Sequence, residues 1–355
     1  MKKDLFSFKT DEINWSSGFR IVVALFLSLL LMSLLGLTQY WTSVAFGVIF
    51  VGVSDLTSLN EPISFRIKRL AIITFAGALL TALGLIFGLN FGLAVVSTFA
   101  ITLLLGAFVV WGKAAAYAAY LLTIWFVASL SFQGGTAQAV PQALAWLIGG
   151  MLYIILAIVR FKHKPSLAES KHETATIQSP KNLIEMYLSS FKFSSKQFKF
   201  IFIKALAITL GTAIGLALGL PYAHWIPVYT LVVLQADIGQ TYHVFIQRLV
   251  GTIFAATLAA LIIFGVHNQY LMVLIIMLCA FFAIALRGAS MLLYIIFSTV
   301  VILLMLDLPT PGNLIDVWAR ILDVFIGALI AVVVVFLFMK PPQKEQIKTV
   351  SLSGV

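Results

Sequence analysis

Apolar runs separated by short polar stretches fill the chain, and the runs recur twice in the same order. A helix needs about 20 apolar residues to cross a hydrocarbon core, with a tolerance of a few either way. Ten runs satisfy this: 21–37, 70–89, 91–111, 114–132 and 143–159 in the first half, and 201–220, 249–266, 270–286, 289–306 and 315–338 in the second. Two more, 41–54 and 225–236, are too short to cross as regular untilted helices, and they occupy the same place in both halves. The halves also share internal spacing. Arg20 opens a run and Trp41 opens the next, 21 positions on; Lys204 and Trp225 repeat that step. Gly36-Leu37 and Gly219-Leu220 precede the two tryptophans, Arg69-Leu70 answers to Arg248-Leu249, and Arg160 and Lys340 close the halves. Such duplication typifies secondary transporters. The pattern predicts an all-α, polytopic membrane protein with about 12 transmembrane helices in two six-helix repeats.

Loops rich in Lys and Arg stay in the cytoplasm. With both short segments counted as crossings, only Arg320 of the 23 cations falls off the cytoplasmic side, and the opposite loops contain none. Both termini are therefore expected in the cytoplasm, and the polar segment before Arg20 reads as mature chain, since no small-residue cleavage site follows the first run. An even number of spans per repeat makes the repeats parallel, related by an axis along the membrane normal. The expected organisation is a first membrane repeat at 1–160, a Lys-rich cytoplasmic linker at 161–198, a second repeat at 199–340 and a cytoplasmic tail at 341–355. Within the linker, Ile184, Tyr187, Leu188 and Phe191 have helical spacing, with Lys181, Lys192, Lys196 and Lys199 around them. That suits an interfacial helix on anionic lipid, or else a solvated tether.

Composition narrows the function class. A chain that is 61% apolar and 10% charged, with a mean hydropathy of +1.07, is no soluble domain. Positive-inside topology accounts for the net charge of +10 without nucleic acid. A single cysteine, Cys279, excludes an internal disulfide. No phosphate-cradling Gly-rich loop with Lys, no H-E-x-x-H, no G-x-S-x-G and no C-x-x-C is present. No enzyme activity, cofactor or metal is expected, and any pumping draws on an ion gradient.

The paired short segments point to a substrate site, because irregular or short structure at membrane depth is tolerated where it lines a protein interior or cavity. Tyr40-Trp41 and His224-Trp225 open them, Asp55 and Asp237 close them, Pro227 fits a first helical turn, and Gln235 lies near the inner end. The two tryptophans either contact substrate or belong to the aromatic belt. In the last span Asp323, Arg320 and Asp316 share one helix face. Three readings stay open for them: a proton-coupling carboxylate at Asp323, an anion site at Arg320, or a salt-bridged anchor for the helix. Arg248 stands out because Arg69 recurs at its place, both at the cytoplasmic mouth that Asp55 and Asp237 border. Gly211, Gly215 and Gly219 form a ridge for close helix approach.

The run Tyr222-Ala-His-Trp225-Ile-Pro227, then Gln235, then Gln247-Arg248-Leu-Val-Gly251-Thr252 resembles the core of the fusaric acid resistance protein-like family of membrane transporters. The resemblance covers about residues 199–340. In the first half Trp41 and Arg69 are present, but Ile72-Ile73 stand where Gly-Thr would be. It implies a bacterial inner-membrane exporter of aromatic carboxylic acids and related weak acids, often paired with a periplasmic adaptor, and distantly akin to plant malate channels. The chain lacks the large cytoplasmic domain of longer members, which weakens the expectation of an adaptor. Trp225, Gln235, Arg248, Gly251 and Thr252 inherit support from it; the Asp316–Asp323 cluster does not.

The expectation is a proton-coupled exporter of organic anions, with Arg248 and Arg69 attracting the carboxylate, Trp41 and Trp225 stacking on its ring, Gln235 and Thr252 beside them, and Asp323, Asp55 or Asp237 taking the proton. Its partners would be a small organic anion and the lipid bilayer, with an adaptor protein or a second copy of the chain as further partners. A passive anion channel on the same scaffold and a non-transporting membrane scaffold are the rivals. The major facilitator superfamily is disfavoured, since its Gly-Asp-Arg-Gly-Arg-Arg signature is missing between the second and third spans.

Overall fold

The computed structural model describes residues 8–56, 63–132, 135–161, 185, 187–188, 191, 195–219, 224–308 and 315–338. Among these, twelve α-helices and no strand are found. The first six are α1 (Trp15–Leu34), α2 (Trp41–Asp55), α3 (Ile63–Phe87), α4 (Phe91–Gly106), α5 (Lys113–Ser129) and α6 (Gly135–Phe161). The second six are α7 (Lys196–Leu218), α8 (Trp225–Val233), α9 (Ile238–Gly265), α10 (Gln269–Ala285), α11 (Met291–Asp307) and α12 (Ile315–Phe338).

Matching residues start and stop matching helices. The side chains of Asn90 and Asn268 accept hydrogen bonds from the first-turn N–H groups of α4 and α10, which otherwise have no partner. Gly36 and Gly219 follow α1 and α7 with φ of 70° and 59°, a left-handed conformation that glycine adopts without steric cost. Among the described residues seven helices are long and apolar enough to cross a membrane, and large apolar side chains such as Phe75, Leu79, Phe254 and Phe264 point outward. The molecule is a multi-pass membrane protein, whose outer surface is apolar because its solvent there is lipid.

The same helix pairs pack in both halves. In the first, α6 lies against α2 and α3, α3 against α5, α4 against α5, and α1 against α2; in the second, α12 lies against α8 and α9, α9 against α11, α10 against α11, and α7 against α8. Glycines set the closest approaches. A Cβ on Gly149 of α6 would fall 2.1 Å from the Val44 carbonyl oxygen of α2, and one on Gly327 of α12 would fall 2.3 Å from that of Ile226 in α8. The halves meet along two equivalent seams, α1 with α10 and α4 with α7.

Several contacts fix the direction of the repeats. The Asn14 N–H before α1 donates to the Ala285 carbonyl at the end of α10, at 2.9 Å. Arg287, in the α10–α11 turn, reaches the Val53 carbonyl near the end of α2 at 3.1 Å and the Tyr117 hydroxyl near the start of α5. Gly106 at the end of α4 faces Ile201 near the start of α7. The beginnings of α1 and α7 therefore lie at one end of the bundle, and the repeats are parallel.

The two short segments differ. Helix α2 is a continuous 15-residue helix, about 22 Å long at 1.5 Å per residue. Helix α8 is 9 residues long and buried throughout, about 13 Å. The chain then leaves the helix, with Leu234 and Asp237 extended and a bend at Ala236 and Asp237. Helix α9 begins at Ile238, well before the expected span at 249. Residues 238–248 are too polar to register as a membrane run, yet they continue the helix because part of their surface faces protein. Arg248 is thus carried ten residues into α9, about 15 Å from its start. Helix α3 likewise begins at Ile63 and takes Arg66 into its second turn. In the linker, the Tyr187 hydroxyl donates to the Leu104 carbonyl at 3.0 Å, and its ring meets Phe108 and Trp111. That part of the expected interfacial helix docks on the end of α4, while Ile184, Lys181 and Lys192 lie outside the described residues.

Candidate functional site

The buried charges of the two repeats are arranged differently. In the first, Asp55 ends α2 and is fully buried. It accepts from Arg20 of α1 at 2.7 Å, from Arg66 of α3 at 2.7 and 3.1 Å, and from the Tyr153 hydroxyl of α6 at 3.0 Å. Two guanidiniums and a phenol thus use both carboxylate oxygens, and the cluster ties four helices together at one end of the bundle. A carboxylate so engaged is satisfied as an ion and holds structure. Asp237, its counterpart in the second repeat, instead caps α9 by accepting from the Gln240 N–H at 2.8 Å.

Between the repeats lies a cavity of about 270 Å³. Its walls are α2 and α5 from the first repeat and α8, α10 and α11 from the second, with single side chains reaching in from α9 and α12. Since α8 and α11 correspond to α2 and α5, the cavity sits on the axis that relates the repeats. Three arginines, Arg248, Arg287 and Arg320, line it together with Tyr117, Tyr120, Trp225, Tyr229 and Tyr294, and no carboxylate is among its lining residues.

The three arginines differ in what they already hold. Arg287 donates to the Val53 carbonyl and the Tyr117 hydroxyl, and its guanidinium carbon lies 4.9 Å from the Tyr117 ring and 5.6 Å from the Tyr294 ring. Arg320, 3% exposed, has its guanidinium carbon over Trp225 at 3.4 Å from the ring centroid, with Tyr229 at 5.1 Å. The Nε and Nη1 of Arg320 and the Nε of Arg248 have no hydrogen-bond partner among the described residues. Buried donors of this kind are costly to leave unmet. A guanidinium presents two parallel N–H groups that match a carboxylate, and aromatic faces accept an apolar ring, so this arrangement suits an organic anion with a flat body.

The structure brings Trp225, Arg248 and Arg320 together and leaves the other candidates elsewhere. Trp41 packs with Met32, Val44 and Ala145, and Arg69 and Thr252 lie outside the cavity lining. Gln235 donates to the Val232 carbonyl at 2.9 Å in the turn after α8. Asp323 lies one turn beyond Arg320, 1% exposed, with neither carboxylate oxygen hydrogen-bonded among the described residues. Among the described residues no ion pair joins it to Arg320, whose guanidinium lies over Trp225. The side chain of Asp316 lies outside the described residues.

Register explains why Trp41 does not mirror Trp225. Measured from the paired glycine contacts, Trp225 precedes Ile226 by one residue and Arg320 precedes Gly327 by seven; the same steps before Val44 and Gly149 reach Ser43 and Gln142. The Ser43 hydroxyl donates to the Gln142 side-chain carbonyl, in the place where the second repeat stacks an arginine on a tryptophan. Sequence reasoning passed over Arg287, Tyr117, Tyr120, Tyr229 and Tyr294. A signal for part of this set was present: Tyr117, Tyr120 and Ile124 recur at helical spacing, which places two phenols on one face of a membrane helix.

Residues 200–334 match the family described as fusaric acid resistance protein-like. The match bears out the resemblance carried by Trp225 through Thr252, and it falls on the repeat that supplies all three cavity arginines. No curated protein and no solved structure matches the chain.

Proposed function

We propose that the protein exports organic anions, carboxylates with an aromatic or other apolar body, through the cavity between its repeats. One observation carries this reading: three arginines and five Tyr or Trp rings line a chamber within a membrane protein, with no carboxylate in its walls to neutralise them. An anion would supply the missing charge. Arg248 and Arg320 would take its carboxylate, with Trp225 and Tyr229 against its body. The volume, just below the usual range for small-molecule pockets, suits a ligand of about one ring. The family match supports transport of weak acids. Asp323, beside Arg320, is the carboxylate we assign to proton coupling, and Asp55, held by three partners, is set aside. Residence in a bacterial cytoplasmic membrane with both termini inside completes the proposal.

The test is flux in proteoliposomes containing the full chain. Radiolabelled benzoate and a panel of substituted benzoates are followed under an imposed pH gradient, and then under an imposed potential with a protonophore present. Flux driven by the pH gradient is expected. Flux that follows potential alone would make the protein a passive anion channel, and no flux for any acid would overturn the reading.

A further inference from the structure

A second, smaller cavity of about 50 Å³ adjoins the first and extends toward the end of the bundle opposite Arg287, where Ser131, Phe132, His224 and Leu306 line it. Phe46, Phe50, Ile124 and Trp225 line both cavities, so these four side chains form the neck between them. Three of the four come from the first repeat; Trp225 alone comes from the second. It is also the neck residue held by a charge. Its indole Nε1 has no hydrogen-bond partner among the described residues, and the Arg320 guanidinium lies over its face at 3.4 Å.

We propose that Trp225 is the plug between the main cavity and that far mouth, and that Arg320 is the latch holding it until an anion in the cavity draws the guanidinium away. The geometry gives the latch its competitor. A carboxylate in the main cavity meets Arg320 in the cavity wall, where the buried Nε and Nη1 have no protein partner among the described residues to hold the guanidinium in place. A charge-assisted bidentate pair with a carboxylate offsets the charge that attracts the ring and pulls on the guanidinium, so binding loosens the hold of Arg320 on the indole. The indole then has packing alone to keep it in the neck. Opening toward the far mouth thus becomes conditional on cargo, because a ligand shifts an equilibrium only by its differential interaction with the two states. The inference rests on the anion reading above for the identity of the ligand, and on cavity geometry alone for the plug.

Cysteine accessibility separates the two. Cys279→Ala removes the native thiol, and Ser298→Cys places a probe in the wall of the main cavity. A membrane-impermeant maleimide is applied to the full chain from the face that carries His224 and Phe132. Slow labelling is expected with Trp225 and Arg320 in place. Trp225→Ala and Arg320→Gln should each raise the rate roughly tenfold or more, while Trp225→Phe, which keeps a ring in the neck, should raise it less. Benzoate should raise the rate in the protein that retains both residues and leave it unchanged in Arg320→Gln. Unchanged protection in both Trp225→Ala and Arg320→Gln would overturn the proposal. Loss of protection in both, with no response to benzoate, would uphold plug and latch and overturn the organic anion as the key.

Discussion

In the first repeat Asp55 sits between Arg20 and Arg66 with Tyr153 behind it, and no charge of this cluster faces the central cavity. In the second repeat, Lys204, Phe245 and Ala331 stand at the corresponding places, and Asp237 caps a helix. The cluster has no equivalent there. What the second repeat has is three arginines in the cavity wall, two of them with N–H groups left unmet. The same packing scheme thus carries a closed electrostatic tie in one copy and, in the other, arginines that line the cavity with no carboxylate among its lining residues. Duplication supplies two copies of a scaffold, and a chemical site on the shared axis needs its charges from only one. The copy freed of the tie is also the one that the family resemblance covers.

The comparison breaks first at Asp55. Replacing it by Ala strands two buried guanidiniums, and losing one partner of a buried pair costs about 3–5 kcal/mol. Asp55→Ala should therefore fail to accumulate as folded protein, seen as loss of the monodisperse peak and of cooperative thermal unfolding in detergent. Arg248→Gln and Arg320→Gln should act in the opposite sense, lowering anion flux by roughly tenfold to a hundredfold with a much smaller loss of stability than Asp55→Ala, since on the proposed function each removes a charged partner of the ligand, and Arg320→Gln loses in addition only its stacking on Trp225. Equal loss of stability and flux in all three would mean that both repeats use their arginines structurally. A smaller effect is expected at Asp237: substitution by Ala removes the α9 cap and should cost about 1 kcal/mol in unfolding experiments with flux retained.

How much of this was legible in the sequence varied with the kind of force involved. Twelve helices in two repeats follow from apolar runs, and the glycines and asparagines that end or cap them recur at matching places, because length and local backbone chemistry are properties of single segments. The starts of α3 and α9 were not legible. Arg66 and Arg248 interrupt the apolar pattern, and only the tertiary arrangement, Asp55 on α2 for Arg66 and the cavity for Arg248, makes their presence inside the bundle tolerable. The cavity was half legible. Trp225, Arg248 and Arg320 were singled out, Arg248 and Trp225 by repetition and Arg320 as the one cation on the wrong side. Arg287 resembled an ordinary cytoplasmic-side cation until Val53 and Tyr117 were seen across from it. Repetition also misled: it raised Trp41 and Arg69 along with their counterparts, although interhelical register, which no single segment encodes, decides what enters the cavity.

The smallest expected effect is the most telling about that register. Trp41 and Trp225 hold the same place in the sequence repeat, so a site built symmetrically from both would lose comparable function on changing either. The α2–α6 contact instead puts Ser43 beside Gln142, and Trp41 is left packing on Met32, Val44 and Ala145 away from the cavity. Trp41→Phe keeps an apolar ring in that packing and changes nothing that a ligand in the cavity would touch. Anion flux and its concentration dependence should stay within about twofold of the native chain, a difference below 0.5 kcal/mol by the usual conversion. Trp225→Phe, an identical change at the matching position, replaces the indole face on which Arg320 rests by a smaller and weaker cation–π partner and should alter flux several-fold through that contact. Measuring the two variants side by side in the same vesicles isolates register from residue type. Equal losses would return Trp41 to the site and require the repeats to act as equivalents; unequal losses place the chemistry in the second copy.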